Sequence, residues 1–191
     1  DKTLGGEVIM SMTLILSQTA DSDTNMDFVE GTSDVVFDNT YKLYIFKLLN
    51  CVPEAGGQAL CGVDASTNTG TSFGITCTSC CFNSVHAEDG DPIGLAYNSD
   101  DDLAQSTARI TIGYGGTGSD EGICGTLFVH NPSNTTHVKH WQAETVQIMD
   151  NDVFRHQFSS GYWNTTTAID AFRFKFDASD WSGTVKLYGV G

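Results

Sequence analysis

The chain has 191 residues and a strongly acidic composition. Its 24 Asp and Glu residues outnumber its 9 Lys and Arg residues, so the formal net charge at pH 7 is −15. Affinity for nucleic acid depends mainly on Lys and Arg contacts with phosphate, so this balance argues against DNA or RNA as a partner. No apolar run approaches the roughly 18 residues of a membrane-spanning helix, and we expect no membrane contact. The length suits a single domain over residues 1–191.

The first half of the chain consists of short alternating segments joined by polar turns. Apolar residues occupy every second position from Val8 to Leu16, which is the pattern of a strand with one buried face. Tyr41 to Leu49 is almost entirely apolar and predicts a central strand that is covered on both faces. Shorter β segments are predicted at 26–29, 34–37, 59–63, 73–82 and 93–97.

The second half continues this pattern. Leu103 to Tyr114 alternates again, and the Gly-rich run at 113–122 predicts a flexible or strongly turned loop. No stretch of about ten residues has the 3.6-residue apolar period of an amphipathic helix. The sequence therefore predicts an all-β fold, an antiparallel β-sandwich or jelly roll. Further strands are predicted at 124–130, 137–148 and 155–158, followed by a loop at 161–164.

The C-terminal segment, 169–191, has the pattern of an amphipathic β-hairpin. Phe172, Phe174 and Phe176 alternate with charged residues, so we expect the three rings to lie in the core. A turn cluster follows, and Val185 and Leu187 alternate with polar neighbours on the returning strand. Each strand has one apolar face, so a second sheet must cover them.

Several motifs occur in a fixed order along the chain. The segment YKLYI at 41–45 precedes an N-x-x-P-x-x-x-G-x-x-L connection at 50–60. GTLFVHNPS at 125–133, GYWN at 161–164 and AFRFKF…GTVKLYG at 171–189 follow. In this order the motifs resemble a family of structural proteins from tailed-bacteriophage virions, found among head-decoration and tail-fibre components.

The resemblance implies a non-enzymatic virion protein without a cofactor, assembled in the host cytoplasm. The expected role is capsid decoration or cementing, in which the chain binds the major capsid protein or other virion proteins and stabilises the outer shell. Symmetric particles favour a homo-oligomer, and a trimer is expected. The short chain lacks heptads, which favours the head over a fibre. The alternative is a tail-fibre or lectin-like, carbohydrate-binding module that recognises a receptor.

Three aromatic residues are candidate contacts with a ligand or a neighbouring subunit. Tyr162, Trp163 and Trp181 are expected in loops near the C-terminal hairpin. Exposed aromatic rings stack on sugars and on protein neighbours. A place in the core is the alternative for the same residues.

Two acidic loops surround the segment predicted at 93–97. Ca²⁺ is bound by six to eight oxygen ligands, often from adjacent loops, but the order of a defined calcium loop is missing here. A solvated acidic edge is the alternative. The calcium candidates are Asp89, Asp91, Asp100, Asp101 and Asp102.

The six cysteines leave three hypotheses open: buried reduced thiols, disulfides formed after lysis, and a zinc site. Only one half of a zinc site has the required ligand spacing, at Cys77, Cys80 and Cys81 with His86, and no second ligand pair completes it. The remaining cysteines are Cys51, Cys61 and Cys124.

No motif marks a catalytic residue. Residues 70–74, GTSFG, fit the G-x-S-x-G pattern of serine hydrolases, but they lie at the end of a Ser/Thr/Asn/Gly loop with no helix predicted after them, so the context does not mark this Ser as a nucleophile. His137 and His140 would point to opposite faces of a strand, which is a poor geometry for holding one metal ion. We therefore expect no enzymatic activity.

Overall fold

The computed structural model describes residues 11–118, 120–150, 152–177 and 179–191. These ranges contain thirteen strands and no helix, which confirms the all-β prediction. Val8 and Met10 of the predicted first strand lie outside the described residues. The strands are β1 (Met12–Asp23), β2 (Met26–Val29), β3 (Leu43–Pro53), β4 (Gln58–Ser66), β5 (Cys77–Ala87), β6 (Ile93–Tyr97), β7 (Leu103–Ser106), β8 (Ile110–Gly116), β9 (Gly122–His130), β10 (Lys139–Ile148), β11 (Val153–Trp163), β12 (Ala171–Phe176) and β13 (Trp181–Val190).

The strands form two antiparallel sheets that pack face to face as a β-sandwich. The large sheet has nine strands in the order β1-β13-β3-β9-β10-β11-β5-β6, with β7 also paired to β5. The small sheet has four strands in the order β2-β12-β4-β8. The small sheet therefore covers only part of the large one.

Aromatic rings fill the space between the sheets. Phe172, Phe174 and Phe176 are 0%, 1% and 0% exposed, as the alternation predicts. The Phe46 ring of the large sheet lies 5.3 Å from Phe28 and 5.1 Å from Phe174, both in the small sheet. Offset and edge-on contacts of this kind add to the free energy gained by burying the rings.

The two C-terminal strands do not form the predicted hairpin. Strand β12 pairs with β2 and β4, whereas β13 pairs with β1 and β3, so the chain crosses from one sheet to the other between them. Phe176 and Trp181 face each other across the sandwich with ring centroids 5.7 Å apart. Apolar alternation identifies a buried face but does not identify the partner strand, which is why the pairing prediction was wrong.

Other predicted segments also differ from the structure: the strand expected at 73–82 is β5 at 77–87, and most of the loop expected at 161–164 belongs to β11. Residues 34–37 form no strand, although Val35 and Phe37 are buried. The predicted strand at 103–114 is divided into β7 and β8. The Gly-rich loop is shorter than expected because β8 continues to Gly116, and a Cβ at Gly113 would collide with the Gln147 side chain of the large sheet. Glycine at this position thus permits close approach of the two sheets.

Eight of the strands make a framework, and the other five extend it. The framework strands are β1 to β4, β8, β9, β12 and β13. We number these eight strands from first to eighth in chain order. Their spatial order is then first, eighth, third, sixth in the large sheet and second, seventh, fourth, fifth in the small sheet. Strands β10, β11, β5, β6 and β7 continue the large sheet beyond β9.

Candidate binding face

Exposed apolar side chains concentrate on the outer face of the sheet extension. Among the described residues, nine large hydrophobic side chains are exposed. Met12, Leu14 and Leu49 lie on framework strands. The other six lie on the extension: Phe82, Ile93, Leu95, Tyr97, Val146 and Phe154.

Strand register places these six residues in one continuous surface. Residues directly opposite each other in antiparallel strands project from the same face of the sheet. We call this surface the β6–β10 face. Across β6, β5, β11 and β10 its rows are Tyr97–Phe82–Phe158–Glu144, Leu95–Ser84–His156–Val146 and Ile93–His86–Phe154–Ile148.

Contacts within the face hold its aromatic rings in place. The rings of Phe82 and Phe158 are stacked, with centroids 5.0 Å apart and planes inclined by 14°. His156 lies 4.2 Å from Phe158 and its Nε2 is 2.9 Å from Oε1 of Glu144. A partner would therefore meet a partly ordered aromatic surface, which reduces the entropy lost on binding.

A depression borders the face. It has a volume of about 440 Å³ and lies where Val146 and Phe154 approach Cys124 and Asn50. A side chain from a partner surface could enter it beside the exposed rings. Concave sites next to apolar patches are where interface anchors usually bind.

The acidic loops flank the face but do not form a metal site. Asp89, Asp91 and Asp100 are exposed, and Asp102 accepts a hydrogen bond from the Tyr97 hydroxyl at 2.6 Å. Asp101 is buried, and burial raises its pKa. Within the described ranges, no three acidic, histidine or cysteine side chains are grouped closely enough to hold a metal ion. The structure thus does not bring the calcium candidates together.

The two tryptophans predicted as loop contacts are buried. Trp163 ends β11 and is 2% exposed, with its ring 5.9 Å from Trp141 and 5.6 Å from Phe172. Trp181 begins β13 and is 1% exposed. Burial of both rings favours the core alternative over contact with a ligand or a neighbouring subunit.

Tyr162 keeps partial exposure in a groove at the other end of the same sheet. The groove has a volume of about 450 Å³, and its lining includes His130, His140 and Gln142. The Tyr162 hydroxyl accepts a hydrogen bond from Gln105 at 3.2 Å. Burial, assisted by the nearby His140, lowers the pKa of His130. The groove thus presents hydrogen-bonding His and Gln side chains beside an aromatic ring.

The six cysteines are free, and four of them are buried. Burial raises the pKa of Cys51 to about 12 and that of Cys77 to about 11, so both thiols are protonated at neutral pH. A protonated, buried thiol is a poor nucleophile and a poor metal ligand. Cys80 is exposed and Cys124 is partly exposed.

Sequence reasoning missed the β6–β10 face, although part of its signal is visible. Ile93, Leu95 and Tyr97 alternate with Gly94 and Ala96. The residues at 154, 156 and 158 likewise put two Phe rings and a His on one side of a strand. Recognising one surface requires the pairing of β6, β5 and β11, which is not a local property of the sequence.

No protein-family model, curated protein or solved structure matches this chain. Its described residues contain no helix long and apolar enough to span a membrane. The features that bear on function are therefore the exposed apolar β6–β10 face and the order of motifs in the sequence.

Proposed function

We propose that the chain is a non-enzymatic virion structural protein that attaches to a protein shell through the β6–β10 face. The observation that carries the proposal is the placement of six exposed apolar side chains on one face of four paired strands. Large exposed apolar patches on soluble folds mark interaction sites. The order of sequence motifs supports a phage decoration or cement protein as the specific role.

The energetics favour attachment of several copies together. Full burial of a Leu- or Phe-sized side chain contributes about 1.5–3 kcal/mol, and less when the side chain is already partly covered. Association loses roughly 4–15 kcal/mol of translational and rotational freedom. One face therefore binds weakly, whereas a homo-oligomer, a trimer in this proposal, gains affinity because its second and third faces bind at high effective concentration.

We further infer that the eight-strand framework is a jelly roll. Support comes from the order first-eighth-third-sixth in one sheet and second-seventh-fourth-fifth in the other, which is the order of two Greek keys wound together. The binding face lies on the two insertions in this framework, between β4 and β8 and between β9 and β12. Insertions of this kind can add a binding surface without changing the core.

Particle binding tests the attachment role. The double variant Val146→Ser and Phe154→Ser removes the two apolar side chains of the face that line the depression, and Met12→Ser with Leu14→Ser is the matched control on an exposed edge outside the face. Particles freed of the chain are mixed with each variant and sedimented. We expect occupancy to fall at least ~10-fold for the face variant only, as for hot-spot residues. Equal occupancy of both variants, or absence of the chain from purified particles, would contradict the proposal.

Carbohydrate binding is the second candidate, and the Tyr162 groove supports it. An aromatic ring beside His and Gln side chains offers both stacking and hydrogen bonds to a sugar. A glycan array of the intact chain and of Tyr162→Ala tests this candidate. Reproducible binding of one sugar class that is lost in the variant would favour a receptor-binding module.

A further inference from the structure

Strand β6 is an open edge of the large sheet. It pairs with β5 on one side and stands at the end of the strand order. One backbone hydrogen bond lies at each end of the β5–β6 pair: Ala87 N donates to Pro92 O at 3.0 Å, and Asn98 N donates to Cys81 O at 2.9 Å. In antiparallel pairs, hydrogen-bonded positions alternate with non-bonded ones, so these bonds fix the alternation through β6.

The alternation shows which backbone groups of β6 are free. Gly94 and Ala96 fall on the positions that bond β5, so the N–H and C=O groups of Ile93, Leu95 and Tyr97 point away from the sheet. Within the described residues no strand pairs with this side of β6. The same three residues have exposed side chains, with 67%, 74% and 58% of their surface accessible.

An edge of this kind can pair with an added strand. An unprotected edge with apolar side chains can pair with another extended chain, and proteins usually block it with charges or Pro within the strand. β6 itself contains neither a charge nor a Pro. An added strand would bond the free backbone groups and cover the outer edge of the β6–β10 face.

Negative charge stands at both ends of this edge. No Lys or Arg occurs between Lys47 and Arg109 in the sequence. Glu88, Asp89 and Asp91 precede β6. Beyond its other end lie the exposed Asp100 and the partly exposed Asp102. The strand between the two acidic groups is roughly 17 Å long for five residues.

We propose that β6 binds an extended segment of a partner protein as an added strand, and that this segment has alternating apolar residues flanked by Lys or Arg. The inference rests on the proposed attachment function and names the chemistry of the partner. The apolar centre matches Ile93, Leu95 and Tyr97, and the basic flanks match the acidic loops. Complementary charge of this kind speeds association and selects the partner.

A second copy of the chain is a less favourable partner for the β6 edge. Antiparallel pairing of two β6 strands about Leu95 would bring the loop of Asp89 and Asp91 toward the partner copy's Asp100 and Asp102. Like charges at both ends disfavour this pairing.

A labelled peptide of sequence KKVTVTVKK tests the proposal with the full chain in solution. Fluorescence anisotropy gives affinity, and backbone amide exchange reports protection at residues 93, 95 and 97. The acidic peptide EEVTVTVEE is the charge control. We expect it to bind at least ~10-fold more weakly than the basic peptide, and we expect a rise from ~50 to ~500 mM salt to weaken the basic peptide several-fold.

Two variants at one position separate strand pairing from side-chain contact. Leu95→Pro removes an N–H that makes no bond to β5, so the fold is retained while the incoming strand loses its donor. Leu95→Val keeps the N–H and a side chain of similar size. We expect a loss of at least ~10-fold for Pro and less than ~3-fold for Val. Circular dichroism and thermal unfolding confirm that both variants fold.

Several results would overturn the inference. They are equal binding of the two peptides, equal binding by the Pro and Val variants, and a dimer in light scattering that Leu95→Pro converts to monomer. The last result would assign the edge to a second copy. Loss of particle binding in the Val146 and Phe154 double variant, without any peptide binding by the native chain, would refute strand addition while leaving the attachment function intact.

Discussion

Replacing Phe174 by Ala tests the packing of the sandwich centre. The ring is 1% exposed and lies 6.0 Å from Phe28 and 5.1 Å from Phe46, so it joins both sheets. Removal of a buried Phe usually costs about 3–5 kcal/mol of unfolding free energy, because apolar burial is lost and a cavity remains. The two aromatic contacts place this site toward the upper end of that range.

Urea unfolding followed by tryptophan fluorescence measures the effect. For a chain of this size, a loss of about 3–5 kcal/mol corresponds to a fall in Tm of roughly 6–20 °C. Phe82→Ala is the matched control, because the Phe82 ring is 44% exposed on the β6–β10 face. We expect the control to lose less than about 1.5 kcal/mol. A loss below about 1 kcal/mol for Phe174→Ala would show that the ring does not hold the two sheets together.

Three further outcomes are expected. Trp163→Ala should lower the unfolding free energy by about 3–5 kcal/mol, whereas Tyr162→Ala should lower it by less than about 1.5 kcal/mol; equal losses in chemical denaturation would contradict the burial difference. The lowered pKa of His130 means that the unfolded chain binds this proton more readily, so stability should fall as pH decreases below about 6.5. His130→Gln should make Tm less dependent on pH below about 6.5. An unchanged Tm-against-pH curve would show that His130 does not cause the loss of stability. A thiol reagent should label Cys80 in the native chain and reach Cys51 and Cys77 only in denaturant; mass spectrometry showing fast labelling of Cys51 would contradict this.

Local pattern predicted the buried faces but not the sheet in which each strand lies. The alternation of Phe172, Phe174 and Phe176 follows from the two-residue period of a strand, and the structure confirms that these rings are buried. The placement of β12 and β13 in different sheets depends on partners that are distant in sequence. No local rule specifies those partners.

The candidate site was less accessible to sequence reasoning than the core. Trp163 and Trp181 lie next to Gly, Asn, Asp and Ser residues, whose turn preference suggested exposed loops. Their large apolar surface determined the outcome instead, because each fills an end of the sandwich. The β6–β10 face required the register of four strands, and that register depends on long-range pairing.

The position of the last two strands has a consequence for how the chain folds. Strand β13 lies between β1 and β3, and β12 lies between β2 and β4, so the C-terminal residues complete the middle of both sheets. Met12 pairs with Val190, a separation of 178 residues (190 − 12). Neither sheet can form completely until the residues of β12 and β13 have left the ribosome. Pairing between strands so distant in sequence is also slow to form. A chain that ends prematurely before β12 would leave four strands with unpaired edges, a condition that favours aggregation during synthesis.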